Sequence, residues 1–236
     1  MTSVEHVVAA GVPVSVVRPA GAPRGAVIVI QEAFGVTSHI EDVAGRAAEA
    51  GYLAVAPHLF HRQGDPVLDY DDIPAVRPVM AALTRPGIEA DLDATLGWLD
   101  SEGFAVPFVG IVGFCMGGSV SFYVAATRAL GAAVSFYGGG VTDGRLGYPP
   151  MVELAAGLQT PWLGLYGERD SGIPMDQVAT LRTAVEAVAT PTELVTYPGA
   201  EHGFHCDDRP AVFDAAAAAD AWDRTLSWFG QHLAGR

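Results

Sequence analysis

The stretch VGIVGFCMGGSV, residues 109–120, runs from an apolar segment into a group of glycines around one cysteine. The run from Val109 to Phe114 is typical of a buried strand, and residues 116–129 have the pattern of a helix. Cys115 is therefore expected at a sharp strand-to-helix turn. A small residue that fills a tight turn is one interpretation of this cysteine, and a reactive thiol presented by the turn is the other.

Length and charge limit the kind of protein this chain can be. Its 236 residues are predicted to form one α/β domain over residues 1–236, and half of them are hydrophobic, which suffices for a sizeable core. The formal net charge of −14 repels phosphate backbones and anionic lipids. We therefore expect a small-molecule substrate, with no nucleic-acid partner and no membrane partner.

Targeting signals and cysteine usage indicate the compartment. The N-terminus lacks the basic start and apolar run of a signal peptide, and no apolar run is long enough to span a bilayer. Two cysteines, Cys115 and Cys206, are too few for a disulfide framework in a chain of this length. These features predict a cytoplasmic protein with free thiols.

Strand and helix patterns alternate along the chain. Residues 4–21 alternate apolar side chains around Gly11 and Pro13, which predicts a hairpin at a sheet edge. The β-branched run at 26–30 begins a series of buried strands that are separated by helices. This order predicts a mostly parallel central sheet with helices on both faces and an edge hairpin at the N-terminus.

Three local patterns complete the structural prediction. Ser38, three residues before Glu41, forms a capping-box pattern at the start of a helix that Gly51 ends. Residues 61–87 contain four prolines and a cluster of acids, which indicates an irregular excursion of the kind that forms lids or site walls. The tail predicts a closing amphipathic helix. Its predicted inward positions are Val212, Ala216, Ala219, Trp222, Leu226, Phe229 and Leu233.

Candidate catalytic side chains come directly after the predicted strands. Sites in such sheets lie at the carboxyl ends of the strands, where this chain places Glu32, Cys115, Asp170 and His202. Each of these residues alone also has a structural interpretation, as a turn residue or a loop-packing side chain. The order nucleophile, acid, histidine is, however, that of the α/β-hydrolase triad, and it favours catalysis.

The neighbours of Cys115 suit a nucleophile. Gly113 and Gly117 remove side chains that would clash at a sharp turn, so G-x-C-x-G corresponds to the nucleophile elbow with sulfur replacing a serine oxygen. The N-terminus of the following helix would favour the thiolate.

The remaining roles follow from this chemistry. We expect His202 to act as general base and acid, with Asp170 holding its tautomer. We expect the backbone N–H groups of Met116 and Ala33 to form an oxyanion hole.

Four motifs in this order carry a family resemblance: QEAFG at 31–35, GFCMGG at 113–118, GERD at 167–170 and AEHGF at 200–204. With them the chain resembles the dienelactone hydrolase family of the α/β-hydrolases along nearly its whole length. The resemblance implies a cytosolic, cofactor-free hydrolase, monomeric or a weak homo-oligomer. Such an enzyme cleaves enol-lactones or related small esters through a cysteinyl-ester intermediate.

The resemblance also gives roles to residues outside the triad. It implies that Glu32 engages the thiol in the resting enzyme and helps to generate the thiolate when substrate displaces it. Cys206 stands where well-studied members carry a substrate-binding arginine, and Arg209 is a candidate replacement. Arg77 and Arg85 are the candidates for the family's other substrate-binding arginine, with solvated surface arginines as the alternative interpretation.

Two further predictions concern the surroundings of His202. Phe34 and Phe204 belong to two of the motifs, and we expect them to line the substrate pocket. HGFHC, residues 202–206, brings His205 and Cys206 next to His202, but the spacing is too compressed for a ligand set. A metal would also occupy the histidine that catalysis needs, so we predict no metal.

A second function remains open from the sequence alone. An activated Cys115 also suits a thiol redox or electrophile-binding protein without turnover, with Cys206 as its resolving partner. Acyl transfer and peptidase activity are further reactions that the same triad permits.

Overall fold

One eight-stranded sheet organises the structure, a computed structural model that describes residues 3–233. The strands are β1 (Val4–Ala9), β2 (Val12–Val17), β3 (Ala26–Ile30), β4 (Leu53–Pro57), β5 (Val109–Phe114), β6 (Ala132–Phe136), β7 (Trp162–Gly167) and β8 (Thr192–Tyr197). They lie side by side in the order β1-β2-β4-β3-β5-β6-β7-β8. From β4 to β8 every neighbouring pair is parallel.

The N-terminal hairpin forms one edge of this sheet. β1 pairs antiparallel with β2, which in turn pairs antiparallel with β4. Ala10 (φ 47°) and Gly11 (φ 92°) connect the two hairpin strands, and both have the positive φ of a type I′ turn. The mostly parallel sheet with an edge hairpin confirms the predicted fold class.

Helices join the parallel strands. They are α1 (Ser38–Glu49), α2 (Ile73–Ala82), α3 (Arg85–Ser101), α4 (Met116–Thr127), α5 (Met151–Leu154), α6 (Met175–Glu186) and α7 (Ala215–His232). Among the helices of residues 3–233, none combines the length and the apolar character needed to cross a membrane.

The central strands are covered on both faces. Every residue of β3, β5, β6 and β7 is buried, as parallel strands are when helices pack on both sides of the sheet. In α4, all residues from Met116 to Ala126 are buried as well. The segments on either side of Cys115 are therefore held by packing in every direction.

The start of α1 differs from the predicted capping box. The N-cap is Thr37, whose extended backbone (φ −79°, ψ 170°) lets its hydroxyl accept from the N–H of Ile40. Ser38 is already the first helical residue, and its hydroxyl donates to Asp208 at 2.9 Å. The predicted cap was wrong by one residue because Thr and Ser are both good caps and the sequence pattern does not reveal the backbone angles.

The excursion at residues 61–87 is more regular than predicted, because it contains the ten-residue helix α2. Asp72 caps this helix, and Pro74 lies in its first turn, where a missing N–H costs nothing. Val76 is its buried residue and packs on Ala33 and Phe34, next to the candidate site. Pro74 thus marks the start of a helix, and Pro78 lies within that helix.

Candidate active site

Cys115 lies between β5 and α4 and has the strained backbone that a sharp turn requires. Its φ of 54° and ψ of −114° are rare for a residue with a side chain and cost on the order of 1–3 kcal/mol. Its N–H donates to the carbonyl oxygen of Phe136 at 3.1 Å, and its own carbonyl accepts from Gly118 at 3.0 Å. These bonds hold the sulfur at the carboxyl end of the sheet.

Glycines let the backbone segments approach one another around Cys115. A Cβ on Gly117 would lie 2.5 Å from the carbonyl oxygen of Ile30, and a Cβ on Gly118 would lie 2.6 Å from that of Phe136. The first turn of α4 therefore packs directly on the ends of β3 and β6. No other residue type fits at these two positions without a shift of the backbone.

Asp170 and His202 reach the same edge from two further strands. Asp170 follows β7 and is buried, and its Oδ1 accepts from the N–H of Gly172 at 2.8 Å. Its Oδ2 lies 2.6 Å from Nδ1 of His202, in the loop after β8. This bond orients the imidazole, and His202 lines the same cavity as Cys115. The structure thus brings the three predicted triad residues together.

Electrostatics favour a thiolate–imidazolium pair. Burial alone raises the pKa of the Cys115 thiol, but the charge of His202, its hydrogen bond and the charge of Arg145 outweigh burial, and the pKa is lowered. Burial lowers the pKa of His202, whereas Cys115 and Asp170 raise it, and the net result is a pKa of about 10. The arrangement therefore favours the thiolate form of Cys115 over the neutral thiol.

The two predicted oxyanion-hole amides belong to segments that meet at the cysteine. Met116 is the first residue of α4, so its N–H has no acceptor within the helix. Ala33 lies in the tight turn after β3 in which Glu32 and Gly35 form a bridge. Since α4 packs on the end of β3, both amides lie at the strand ends that carry the triad.

Glu32 is buried next to the thiolate. Its Oε1 accepts from the hydroxyl of Tyr137 at 3.3 Å, and its Oε2 has no hydrogen-bond partner among the described residues. Its charge acts against ionisation of Cys115 and is the smallest of the influences on that pKa. The resemblance implies a resting contact between Glu32 and the thiol, whereas among the described residues the carboxylate of Glu32 accepts its hydrogen bond from Tyr137. A charged imidazolium is the better partner for a thiolate than a carboxylate.

Cys206 is a protonated thiol away from the imidazole. Its Sγ–H donates to the hydroxyl of Tyr70 at 3.4 Å, and Tyr70 donates to Thr37 at 3.2 Å. Burial and the charge of Glu32 raise the pKa of Cys206 to about 12. At neutral pH this sulfur is therefore not a nucleophile.

Arg85 is engaged in contacts away from Cys115, and Arg77 lies on the surface. Arg77 is exposed on α2. Arg85 pairs with Glu89 at 2.9 Å, and its guanidinium lies 5.1 Å from the ring centroid of Tyr123. Neither arginine lines the cavity that adjoins Cys115.

The side chains of Arg209, Phe34 and Tyr70 lie together. The guanidinium of Arg209 is 5.7 Å from the ring centroid of Phe34 and 5.4 Å from that of Tyr70. This stack borders a second cavity of about 490 Å³. Arg209 lines this second cavity, whereas Phe34 lines neither it nor the cavity at Cys115, and substrate contact by either residue stays a prediction.

Phe204 and His205 belong to the core rather than to the pocket wall. Phe204 is fully buried and packs on Phe136, Tyr137 and Tyr197, so it supports the loop of His202 from below. Because its side chain has no exposed surface, Phe204 does not line the pocket as predicted. His205 is also fully buried. Its neighbours are aromatic and include Phe114, Phe136 and Trp222.

One residue that was not predicted from the sequence lines a cavity together with Cys115. A cavity of about 550 Å³, here called the Cys115 cavity, adjoins the sulfur, and Arg145 is the arginine among its lining residues. The others are Cys115, Gly139, Gly140, Asp143, Gly144, Asp170, Ser171, Gly172, Ile173, Gln177 and His202. The available signal was the position of Arg145 in the loop after β6, whose carboxyl end lies beside that of β5.

The fold and the site together define the class of protein. A cysteine at a strand-to-helix turn, with an acid and a histidine after two later strands of a mostly parallel sheet, matches the arrangement of an α/β-hydrolase. The sequence model of the "Dienelactone hydrolase family" matches residues 12–233. The chain belongs to the dienelactone hydrolase family, and it is an enzyme of the carboxylic-ester hydrolase class.

Individual relatives agree with this assignment. A protein of Escherichia coli (strain K12) named "Putative carboxymethylenebutenolidase" is 42% identical over 213 residues, which cover 89% of this chain and 78% of that protein. The crystal structure of a "Putative Dienelactone Hydrolase" from Klebsiella pneumoniae is 39% identical, with a TM-score of 0.89 over 98% of this chain and 99% of that one. A "Dienelactone Hydrolase-like Promiscuous Phospotriesterase" from metagenomic libraries shares the fold at 21% identity, with a TM-score of 0.79 over 99% of each chain.

Proposed function

We propose that this enzyme hydrolyses small carboxylic esters and lactones, including enol-lactones, with Cys115 as the nucleophile of a Cys-His-Asp triad. The observation that carries the proposal is the position of His202, whose Nδ1 lies 2.6 Å from Oδ2 of Asp170 and which lines the same cavity as Cys115. The names of the relatives support the same substrate class.

Acylation begins from the ion pair. The thiolate of Cys115 attacks the carbonyl carbon, and the C=O electrons move to oxygen, where the N–H groups of Met116 and Ala33 stabilise the oxyanion. The tetrahedral intermediate then collapses, and the bond to the alkoxide or enolate breaks. The leaving oxygen takes the proton of the His202 imidazolium. The enzyme is left as a cysteinyl ester with a neutral histidine.

Deacylation reverses these roles. Neutral His202 removes a proton from water, and the resulting hydroxide attacks the thioester carbonyl. Collapse of the second intermediate releases the carboxylic acid and restores the thiolate beside the imidazolium. Asp170 holds the imidazole tautomer and stabilises its charged form in both steps.

Glu32 acts on the charge of the sulfur in this scheme. Its carboxylate opposes ionisation of Cys115, and the hydroxyl of Tyr137 holds it in place. Movement or protonation of Glu32 when substrate enters removes that opposition and makes the thiolate more favourable.

A thiol redox function has less support. It needs a resolving thiolate, and the only other cysteine of the sequence is Cys206. The raised pKa of Cys206, about 12, keeps that sulfur protonated at neutral pH.

The test compares turnover of p-nitrophenyl acetate by the wild type and three variants. Cys115→Ala and His202→Ala should abolish turnover, whereas Cys206→Ser should retain it. Turnover that survives in Cys115→Ala contradicts the proposal. Absence of turnover in the wild type, together with a peroxide-dependent link between the two cysteines, supports the redox alternative.

A further inference from the structure

We propose that His39 is a positioning residue for His202. From α1, its imidazole holds Asp207 in the loop after β8 and packs on Phe114, the residue directly before Cys115. This inference rests on the proposed function, because it concerns the same pair of reacting side chains. His39 is buried and does not line the Cys115 cavity, so it acts through the loop rather than by contact with substrate.

Asp207 is held at both carboxylate oxygens by α1. Nδ1 of His39 lies 2.9 Å from Oδ1, and Nη2 of Arg46 lies 2.5 Å from Oδ2. A carboxylate only accepts, so Nδ1 of His39 carries the hydrogen of the first bond. Burial raises the pKa of Asp207, but the two bonds outweigh burial, and the pKa is lowered. The two bonds therefore join α1 to a charged carboxylate on the loop of His202.

A closed turn connects this carboxylate to His202. The N–H of Cys206 donates to the carbonyl oxygen of Gly203 at 2.9 Å, so the backbone between His202 and Asp207 is folded back on itself. The two side chains inside the turn, at residues 204–205, are fully buried. Because this short segment is held by its own hydrogen bond and by packing, a shift of Asp207 moves the backbone of His202 as well.

His39 also contacts the strand that presents Cys115. Its ring meets that of Phe114 edge-on, with centroids 6.2 Å apart and planes at 80°. The ring of His205 packs on both, 5.5 Å from the centroid of His39 and 5.2 Å from that of Phe114. These three rings connect α1, the end of β5 and the loop of His202. Since protein interiors are close-packed, this cluster helps to set the distance from the sulfur to the imidazole of His202.

The buried nitrogens of the cluster favour a positioning role for His39 over simple packing. Nε2 of His39 and both ring nitrogens of His205 are buried without a hydrogen-bond partner among residues 3–233. Burial of such atoms costs free energy, and a phenylalanine at position 39 would avoid that cost in a similar space. What the imidazole of His39 adds is the hydrogen bond to Asp207.

Alkylation of Cys115 tests the proposal without turnover. The probe is iodoacetamide, which reacts with the thiolate, and peptide mass follows the modification of Cys115 across a range of pH. His39→Phe keeps an aromatic ring in the cluster and removes the donor to Asp207. Its alkylation midpoint should move to higher pH, toward that of His202→Ala, because the imidazole is displaced from the sulfur. An unchanged midpoint overturns the proposal.

Asp207→Ala breaks the same hydrogen bond from the loop side and leaves the buried cluster intact. Its side chain is partly exposed, so this variant decides the question if His39→Phe does not fold. It should shift the alkylation midpoint in the same direction, and the double variant should shift it no further than either single change. Additive shifts in the double variant overturn the proposal.

Asp42→Ala is the matched control. Asp42 is the other carboxylate that pairs with Arg46, at 2.5 Å, and it lies on α1 rather than on the loop of His202. Its loss removes the same charge beside the same arginine and should leave the alkylation midpoint and kcat at the wild-type values. A shift equal to that of Asp207→Ala would mean that charge alone is responsible, and it would overturn the proposal.

Kinetics with p-nitrophenyl acetate separate positioning from failure of the proposed function. His39→Phe and Asp207→Ala should lower kcat by roughly 10- to 100-fold, as expected for a displaced reacting group, with KM nearly unchanged. A loss of kcat without a shift in the alkylation midpoint overturns the proposal. Absence of Cys115-dependent turnover in the wild type defeats the proposed function, whereas the alkylation midpoints still decide whether His39 positions the imidazole.

Discussion

Gly113 and Gly117 approach so closely that a Cβ on Gly113 would lie 1.9 Å from the carbonyl oxygen of Gly117. The end of β5, directly before Cys115, and the first turn of α4, directly after it, are therefore in backbone contact with no side chain between them. This contact is the physical basis of the sharp turn at Cys115.

The first prediction concerns this contact. Gly113→Ala should destabilise the protein by at least about 3 kcal/mol, because a methyl group cannot fit against a buried carbonyl without moving the backbone. Urea unfolding measures the change. Gly97→Ala is the matched control, since Gly97 is exposed in α3 and its Cβ would meet nothing within 4 Å. That variant should be unchanged or more stable by up to about 1 kcal/mol. Equal stability of the two variants would show that the elbow tolerates a side chain.

The second prediction concerns the hydrogen bond between Asp170 and His202. Asp170→Asn should lower kcat by roughly 100- to 10,000-fold, because the imidazole loses both its orientation and the carboxylate that stabilises its charge. It should also lower the pKa of His202 from about 10, so the alkaline limit of activity moves to lower pH. Asp176→Asn, an exposed residue of α6, is the control and should behave like the wild type. An unchanged pH profile in Asp170→Asn would contradict the assigned role.

The third prediction is the pH range of the thiolate. As pH falls through the lowered pKa of Cys115, the sulfur takes up a proton and activity is lost. As pH rises through about 10, His202 loses its proton, and the leaving group loses its acid. Titration by the ultraviolet absorbance of the thiolate should give a Cys115 pKa below the ordinary value in the wild type and a higher one in His202→Ala. Equal values in the two proteins would mean that the pair does not exist.

The fourth prediction concerns stability in acid. Burial lowers the pKa of His205 to about 3, against an ordinary value of 6.5, and both of its ring nitrogens lack hydrogen-bond partners in the described chain. The unfolded state therefore binds a proton that the folded state refuses, and stability is lost as pH falls below 6.5. Between pH 7 and pH 5 the loss should be about 2 kcal/mol.

His205→Phe tests this assignment. A phenyl ring suits the aromatic surroundings, which include Phe114 at 5.2 Å and Phe136 at 4.9 Å between ring centroids. Denaturation midpoints of this variant should depend less on pH over that range, whereas His6→Gln, at an exposed position, should retain the wild-type dependence. A variant that keeps the full dependence would show that another group is responsible.

The sequence was sufficient to place the triad because strand ends are predictable. Buried strands have a strong apolar signal, and a parallel sheet brings their carboxyl ends to one edge, so Cys115, Asp170 and His202 could be assigned before any coordinates. Their roles as catalytic residues remain predictions for the variants above. The cysteine elbow could also be expected, because only glycine fits where two backbones touch.

Features that depend on tertiary packing were not predictable. In α7 the exposed positions include Ala216 and Ala219, and the buried face carries Ala217, Ala218, Ala221, Thr225, Trp228 and Phe229. A run of five alanines has no polar side to orient it, so the sequence pattern assigned the wrong face at the start of this helix. Arg145 was missed for a related reason: its position depends on the path of a loop, which strand and helix periodicity do not describe.

The most direct measurement of the central claim is the mass of the enzyme quenched in acid during turnover of p-nitrophenyl acetate. We expect a gain of one acetyl group, located by peptide analysis on Cys115, in the wild type and in Cys206→Ser. We expect no such gain in Cys115→Ala. Sustained turnover with the acetyl group on another residue, or with no covalent adduct at any stage of the reaction, would contradict the claim that this sulfur carries the acyl group.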